Sequence, residues 1–259
     1  MPGVLTAMTT ENENDDERMR RLMKDRYERP LPARFYTTAS VGEGNEILLD
    51  GRPVKTPMKA RLVLPTRALA EAVAREWQAQ EKVINPGLMP FTKYANTAID
   101  RAVSERETVL DDFARYAGSD LVCYRAEKPP ALVDMQALHW NPVIDDARAT
   151  LGVPFRLAQG IIHVAQEPAA IAAARSAAAV LDPFRLTILY NLTTLTGSAL
   201  LSLMVVQGRA SAEQGWAAAH VDEDYQIAEW GADEEAMARR AARRVDYDAL
   251  TGMLALLGD

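Results

Sequence analysis

Three consecutive acidic residues, Asp222, Glu223 and Asp224, are the side chains in this sequence with the clearest potential for chemistry. Neighbouring carboxylates can hold a divalent cation or act as an acid and base pair. Consecutive residues of a helix point in different directions, however, so these three cannot converge on one ion. We therefore predict no metal site here, and a catalytic role for Glu223 would need a remote partner.

No other combination of residues indicates an active site. The segment 196–198 (Thr-Gly-Ser) lacks the glycine spacing and the lysine of a phosphate-binding loop. Cys123, the only cysteine, lies in an apolar run and is predicted to be a core residue, while the three histidines are scattered at His139, His163 and His220. The sequence thus predicts a protein without a cofactor or a metal. The absence of a motif is weak evidence against an enzyme.

The acidic residues lie in a segment with a helical period. Ser211 is the expected N-cap and Gly231 the expected end. Between them, steps of four, three, four and three predict one stripe, formed by Trp216, His220, Glu223, Ile227 and Trp230. A carboxylate on such a stripe needs a partner. It is either a structural group paired with His220 or an arginine, or a contact for another protein, and spacing alone favours the structural interpretation.

The segment 186–208 contains no charged residue and no histidine, so it must be buried in a core or in a membrane. Several polar residues and the break at 196–198 favour two short core helices, and we expect no stable membrane insertion. The basic residues that follow further on, at Arg239, Arg240, Arg243 and Arg244, are interpreted as charge compensation on a solvated helix.

The elements that position these residues divide the chain into three parts. Residues 1–30 are predicted to be a flexible leader without the layout of a secretory or mitochondrial signal. Residues 31–90 are predicted to form a β-rich domain, with strands at 35–41, 47–49, 52–57 and 61–64 and a hairpin turn at Asp50-Gly51. A helix that begins after Thr66 should cover this sheet, with Trp77 as its structural anchor.

Helical patterns dominate residues 91–259, although 91–126 could belong to either domain. Ser104 and Glu107 predict a capping box, and Pro142 is expected to kink or interrupt a helix. The fold class is therefore α+β, with a small N-terminal antiparallel sheet domain and covering helix, followed by a C-terminal all-α orthogonal bundle. The net charge of −7 excludes a basic surface for nucleic acid and suits a basic partner protein.

Several motifs resemble a known family. The phrase 222–231, DEDYQIAEWG, is similar to the C-terminal signature of the ATP synthase F1 assembly chaperones that attend the alpha subunit. The segments 74–80 (AREWQAQ), 85–92 (NPGLMPFT) and 96–100 (NTAID) resemble the N-terminal half of that family in the same order. The resemblance covers roughly residues 34–235.

The resemblance implies a chaperone, not an enzyme, that binds the free F1 alpha subunit and prevents its aggregation before alpha pairs with beta. It implies that Glu223 is the functional carboxylate, with Asp222, Asp224 and Trp230 as further partner-binding residues, while Trp77, Trp216 and Ile227 are expected to be structural. We expect a monomer, cytoplasmic in bacteria. The alternative is a small-molecule enzyme with an interdomain cleft that uses Glu223 as acid or base.

Overall fold

A computed structural model describes residues 30–101, 104–160 and 164–258. The predicted flexible leader and His163 therefore lie outside the described residues, except for Pro30. The described chain groups into two compact units. In the smaller unit, residues 30–35 run antiparallel to Gln80–Asn85, with a bridge between Ala33 and Val83. The larger unit holds Tyr36–Ala79 and residues 86–258. The predicted domain boundaries at residues 30 and 90 stay a prediction.

The N-terminal sheet is antiparallel. Its strands are β1 (Ala39–Val41), β2 (Ile47–Leu49) and β3 (Arg52–Pro53), in that order. Asp50 and Gly51 both have positive φ, at 47° and 76°, as a two-residue type I′ hairpin requires. The predicted hairpin is confirmed. The predicted strand at 47–49 pairs over its full length, whereas the predicted strands at 35–41 and 52–57 join the sheet only at 39–41 and 52–53. Val63 and Arg61 form isolated bridges to Glu46 and Lys55.

Helix α1 (Arg67–Gln78) packs against β1 and β2, as predicted. It begins at Thr66, whose hydroxyl oxygen accepts a hydrogen bond from the Leu69 amide at 3.2 Å. Leu69 and Val73, on the side of the helix that faces the core, are fully buried. At the last turn of the helix, the Tyr36 hydroxyl donates to the Trp77 carbonyl at 2.6 Å and ties the helix to the chain that enters the sheet.

Nine further helices lie in the described part of the chain after residue 89 and confirm the predicted α+β class. Four of them begin with proline, which fits the first turn because it has no amide hydrogen to leave unpaired. The helices are α2 (Pro90–Asp100), α3 (Arg106–Gly118), α4 (Pro130–Leu151), α5 (Pro168–Ala179), α6 (Pro183–Thr196), α7 (Ala199–Val206), α8 (Ala212–Ala219), α9 (Val221–Trp230) and α10 (Glu234–Leu257). Helix α4 continues through Pro142 without interruption.

The predicted capping box at the start of α3 is wrong. The helix begins after Glu105, and no side chain caps it. The Ser104 hydroxyl instead donates to the carbonyls of Asp100 and Arg101, at 3.3 and 3.4 Å. Ser104 therefore bonds to the end of the preceding helical segment, and Glu105 takes the N-cap position of the next helix.

The uncharged segment forms two core helices, as predicted. Gly197, with a φ of 71°, ends α6, and the Ser198 hydroxyl accepts from the Leu201 amide at 3.0 Å to start α7. Leu186, Leu189 and Leu192 are fully buried on α6, which packs against α2, α7 and α10. Over the described ranges, no helix has both the length and the apolar character that crossing a membrane requires.

A short parallel sheet lies within the part predicted to be all helical. Strand β4 (Tyr124–Arg125) pairs with β5 (Ala158–Gln159), and α4 connects them. The 3₁₀ turn before β4 (Leu121–Cys123) is fixed by Asp120, which is fully buried. Its carboxylate accepts from the amides of Val122 (3.2 Å) and Leu200 (2.9 Å), so it joins this turn to the first turn of α7.

Asp120 should make stability fall as the pH rises. Burial raises the pKa of Asp120 from 3.8 to about 6, against the opposing effect of its hydrogen bonds. A carboxyl with a raised folded pKa stabilises the fold below the unfolded pKa, and that contribution disappears as the pH passes the folded pKa. We expect the free energy of unfolding of the wild type, relative to Asp120→Asn, to fall by about 2–3 kcal/mol between pH 4 and pH 7.

Urea unfolding of both proteins across that range measures the difference. The comparison with Asp120→Asn is needed because His220 also makes stability depend on pH. Burial is the main cause that lowers the pKa of His220, so its contribution to the free energy of unfolding decreases as the pH falls, opposite to that of Asp120. The Asn variant should be the less stable protein at low pH, since its amide nitrogen cannot accept one of the two backbone bonds. A difference that stays flat or grows with pH would mean that the hydrogen bonds outweigh burial.

Candidate functional site

The segment expected to be one helix is two helices. Ser211 starts α8 with a capping box: its hydroxyl accepts from the Gln214 amide, and the Gln214 side chain accepts from the Ser211 amide. The N-cap is therefore confirmed, as is the end at Gly231. His220 ends α8 and precedes α9 with a non-helical φ and ψ of −120° and 17°. Because the helix is interrupted there, the predicted single stripe is wrong.

The interruption separates the two tryptophans of the predicted stripe. Trp216 is 9% exposed, and its ring stacks on His220 at 3.8 Å and meets Tyr247 edge-on at 5.2 Å. The guanidinium groups of Arg240 and Arg244 lie 5.9 and 5.1 Å from the Trp216 ring. Trp230, at the end of α9, is 77% exposed. The first tryptophan thus belongs to the packing of α8 on α10, and the second faces solvent.

The three acidic residues diverge, as their spacing predicts. Asp222 accepts a hydrogen bond from the Gln136 side chain at 2.8 Å. Glu223 pairs with Arg243 at 2.6 Å, and Asp224 pairs with Arg240 at 2.5 Å. Throughout the described residues, no group of histidine, cysteine and acidic side chains is arranged to hold a metal ion. Each carboxylate of this cluster is therefore engaged separately, with a different partner.

Sequence reasoning missed the role of Arg240 and Arg243. They are three residues apart on α10, so they share the face that meets α9. That spacing, opposite the adjacent acids Asp224 and Glu223, is the only sequence signal for the pairing. These arginines therefore compensate the negative charges of Asp224 and Glu223 on α9, and not the end of their own helix.

A cavity of about 310 Å³ lies between α9 and α10. We call it the α9–α10 groove. Apolar surface is contributed by Ile227, Trp230 and Met237, of which Trp230 is 77% and Met237 41% exposed. The charged residues that line the same groove are Glu223, Asp233, Arg239, Arg240 and Arg243. The groove thus combines exposed apolar area with two carboxylates and three guanidinium groups, a composition typical of protein interfaces.

The remaining predicted residues lie away from this groove. Trp77 is half-buried on α1, in edge-on contact with Tyr36 at 5.8 Å, and its indole nitrogen is buried without a hydrogen-bond partner. Cys123 is buried, and burial raises the pKa of its thiol to about 12, so it is an unreactive core residue. His139 lies on α4 and is not part of the groove.

A second, larger cavity of about 680 Å³ lies where α6, α7 and α10 meet. Its lining includes Leu181, Val205, Leu254 and the side chain of Arg185. Arg185 is already paired with Asp182 at 2.9 Å and also donates to the Gly258 carbonyl. Glu223 does not line this cavity, so the cavity does not supply the cleft that the enzyme alternative requires.

Comparisons with known proteins agree with this architecture. The family model described as ATP12 chaperone protein matches residues 33–148. The mitochondrial protein atp12 of Schizosaccharomyces pombe is 25% identical over 245 residues, which cover 87% of this chain and 82% of that protein. The chain is thus similar to a mitochondrial protein over most of the length of both.

Two bacterial crystal structures share the fold. Atp12 from Paracoccus denitrificans is 42% identical with a TM-score of 0.81, and the match covers 87% of this chain and 98% of that one. A protein from Agrobacterium tumefaciens is 40% identical with a TM-score of 0.82, over 95% of this chain and 99% of that one. At these identities and coverages, the chain belongs to the ATP12 chaperone family, the family of ATP synthase assembly chaperones.

Proposed function

We propose that the chain binds the free alpha subunit of the ATP synthase F1 sector and prevents its aggregation before alpha pairs with beta. A subunit made for a large obligate interface exposes apolar area while it is alone, so it needs a partner that covers that area. We further propose that the chain acts as a monomer, in the bacterial cytoplasm, and without a nucleotide.

The observation that supports this proposal most directly is the α9–α10 groove. It presents Trp230, 77% exposed, about two helical turns from Glu223 on the same helix. Exposed aromatic residues next to charged groups are typical of the residues that dominate binding energy at protein interfaces. The phrase that resembles the family signature, residues 222–231, includes Glu223, Ile227 and Trp230 of this groove.

The enzyme alternative gains no support from the same residues. Glu223 is engaged with Arg243, whereas Asp222 and Asp224 are turned toward other partners. An acid and base pair would need two carboxylates that face one reacting group. We therefore retain a single functional proposal and assign Glu223 to binding.

A direct test uses purified proteins. Denatured alpha subunit is diluted into buffer with and without the chain, with no nucleotide added, and light scattering is followed. We expect the chain to suppress scattering at near-equimolar ratio, and to leave the aggregation of beta subunit unchanged. Equal suppression for beta would indicate a general holdase, and no suppression for alpha would contradict the proposal.

A further inference from the structure

The α9–α10 groove is bordered by the turn between the two helices, and two ion pairs join the same helices. The turn between the helices contains Gly231, whose φ of 86° lets the chain reverse. Asp233 then caps α10 by accepting from the Ala236 amide at 2.8 Å. Trp230 and Met237 flank this turn, while the pairs Glu223–Arg243 and Asp224–Arg240 lie farther along the helices. The largest apolar side chains of the groove therefore lie near the turn, together with Asp233 and Arg239, and the Glu223–Arg243 pair lies farther along.

The two ion pairs are not held equally. Arg240 is 15% exposed, lies near the ring of Trp216 and is packed into the α8–α10 contact. Arg243 is 37% exposed and reaches Glu223 through one terminal nitrogen, while its Nε is buried without a hydrogen-bond partner. Arg243 is more exposed than Arg240 and leaves a buried donor unsatisfied, so less holds it in place. Arg243 is therefore the more readily displaced of the two.

The pair between Glu223 and Arg243 is also weak on general grounds. Both side chains are more than one-third exposed, and ion pairs at such positions stabilise a protein little because water screens them. Separating Arg243 from Glu223 thus costs little, while the carboxylate remains in a setting that already fits a guanidinium. A partner with its own basic side chain can take the same place and add apolar contact that Arg243 does not provide.

We infer that Arg243 occupies the place of a basic side chain of the client, and that the client segment which enters the α9–α10 groove carries an arginine next to a large apolar residue. The arginine exchanges with Arg243 on Glu223, and the apolar residue packs on Trp230 and Met237. The groove volume of about 310 Å³ is near the lower end for ligand sites, so it accepts one or two side chains. This inference rests on the proposed function.

The test compares arginine variants of the full chain. Arg243→Gln removes the internal competitor and should bind purified alpha subunit about two- to fivefold more tightly, the gain expected from a weak, half-exposed pair. Arg67→Gln is the control, because it removes the same charge from an exposed helix position, pairs with Glu71 on its own helix and does not line the groove. It should change the affinity less than twofold. Arg243→Lys, which keeps the charge, should lie between the wild type and Arg243→Gln.

Fluorescence anisotropy of labelled alpha subunit, at low and at moderate salt, gives the affinities, and thermal melting confirms that each variant is folded. Unchanged or weaker binding by a folded Arg243→Gln, with normal binding by the wild type, would overturn this inference alone. An equal gain for Arg67→Gln would also overturn it, because the effect would then be one of overall charge. No binding by the wild type would overturn the proposed function itself, and the inference with it. Should Arg243→Gln fail to fold, wild-type affinity in Arg243→Lys would count against the exchange, and a gain would support it.

Discussion

Replacing Trp216 by alanine should lower the free energy of unfolding by about 3–5 kcal/mol, the usual cost of removing a large buried aromatic side chain. Trp216 fills the contact between α8 and α10, where it stacks on His220 and meets Tyr247. Its removal leaves a cavity and also takes away the ring on which Arg240 and Arg244 lie. Urea unfolding followed by circular dichroism measures the loss.

Trp230→Ala provides the matched control, since it removes the same side chain from the same sequence segment. Trp230 is 77% exposed, so the free energy of unfolding should change by about 0.5 kcal/mol or less. If Trp230 contacts the client, this variant should nevertheless protect the alpha subunit less well than the wild type. Equal losses of stability in the two variants would contradict the division of the predicted stripe into a buried and an exposed half.

Much of the fold follows from local chemistry that the sequence displays. Thr66, Asp182, Ser198 and Ser211 cap helices because a short oxygen-bearing side chain can accept the amides that a first turn leaves unpaired. Gly197 ends a helix because it adopts a positive φ without strain. Signals of this kind depend on residues within one turn, so they can be recognised without knowledge of the rest of the fold.

Contacts between distant segments could not be predicted in the same way. Glu76, on α1, accepts hydrogen bonds from the amides of Phe91 and Thr92, at 2.7 and 2.8 Å, and so caps the start of α2. Burial raises the pKa of Glu76, against the opposing effect of these hydrogen bonds. Nothing in the residues around position 76 indicates this role. The parallel pairing of β4 with β5 is likewise set by the packing of α4 and has no local signature.

The candidate site combines both kinds of information. The divergence of Asp222, Glu223 and Asp224 follows from helix geometry alone and was predictable. The break at His220 was not, because the residues before and after it continue an apparently regular apolar period. The arginine partner of Glu223 was foreseen as one option, but its identity depends on how α10 crosses α9, which the periodicity of either helix leaves undetermined.

Glu223→Lys should abolish protection of the alpha subunit while the chain remains folded. If Glu223 meets a basic group of the client, reversing its charge turns attraction into repulsion at a contact that excludes water, which should cost about 2–5 kcal/mol of binding free energy. Within the chain, the new lysine faces Arg243 across a half-exposed gap, where screening limits the loss of folding stability to about 1 kcal/mol. Light scattering of the alpha subunit and thermal melting of the variant measure the two effects.

Glu229→Lys is the matched control for this charge reversal, because Glu229 is exposed on the same helix and does not line the groove. It should protect the alpha subunit as well as the wild type does.

The double variant Glu223→Lys, Arg243→Glu restores an internal ion pair with its charges exchanged, so it separates the two roles of the carboxylate. If it regains protection, the single variant failed because the groove lost its internal pair; if protection stays lost while the melting temperature returns, the client needs a carboxylate on α9. Outright unfolding of Glu223→Lys, or protection equal to that of the wild type, would return Glu223 to a structural role, because its only demonstrable partner would then be Arg243.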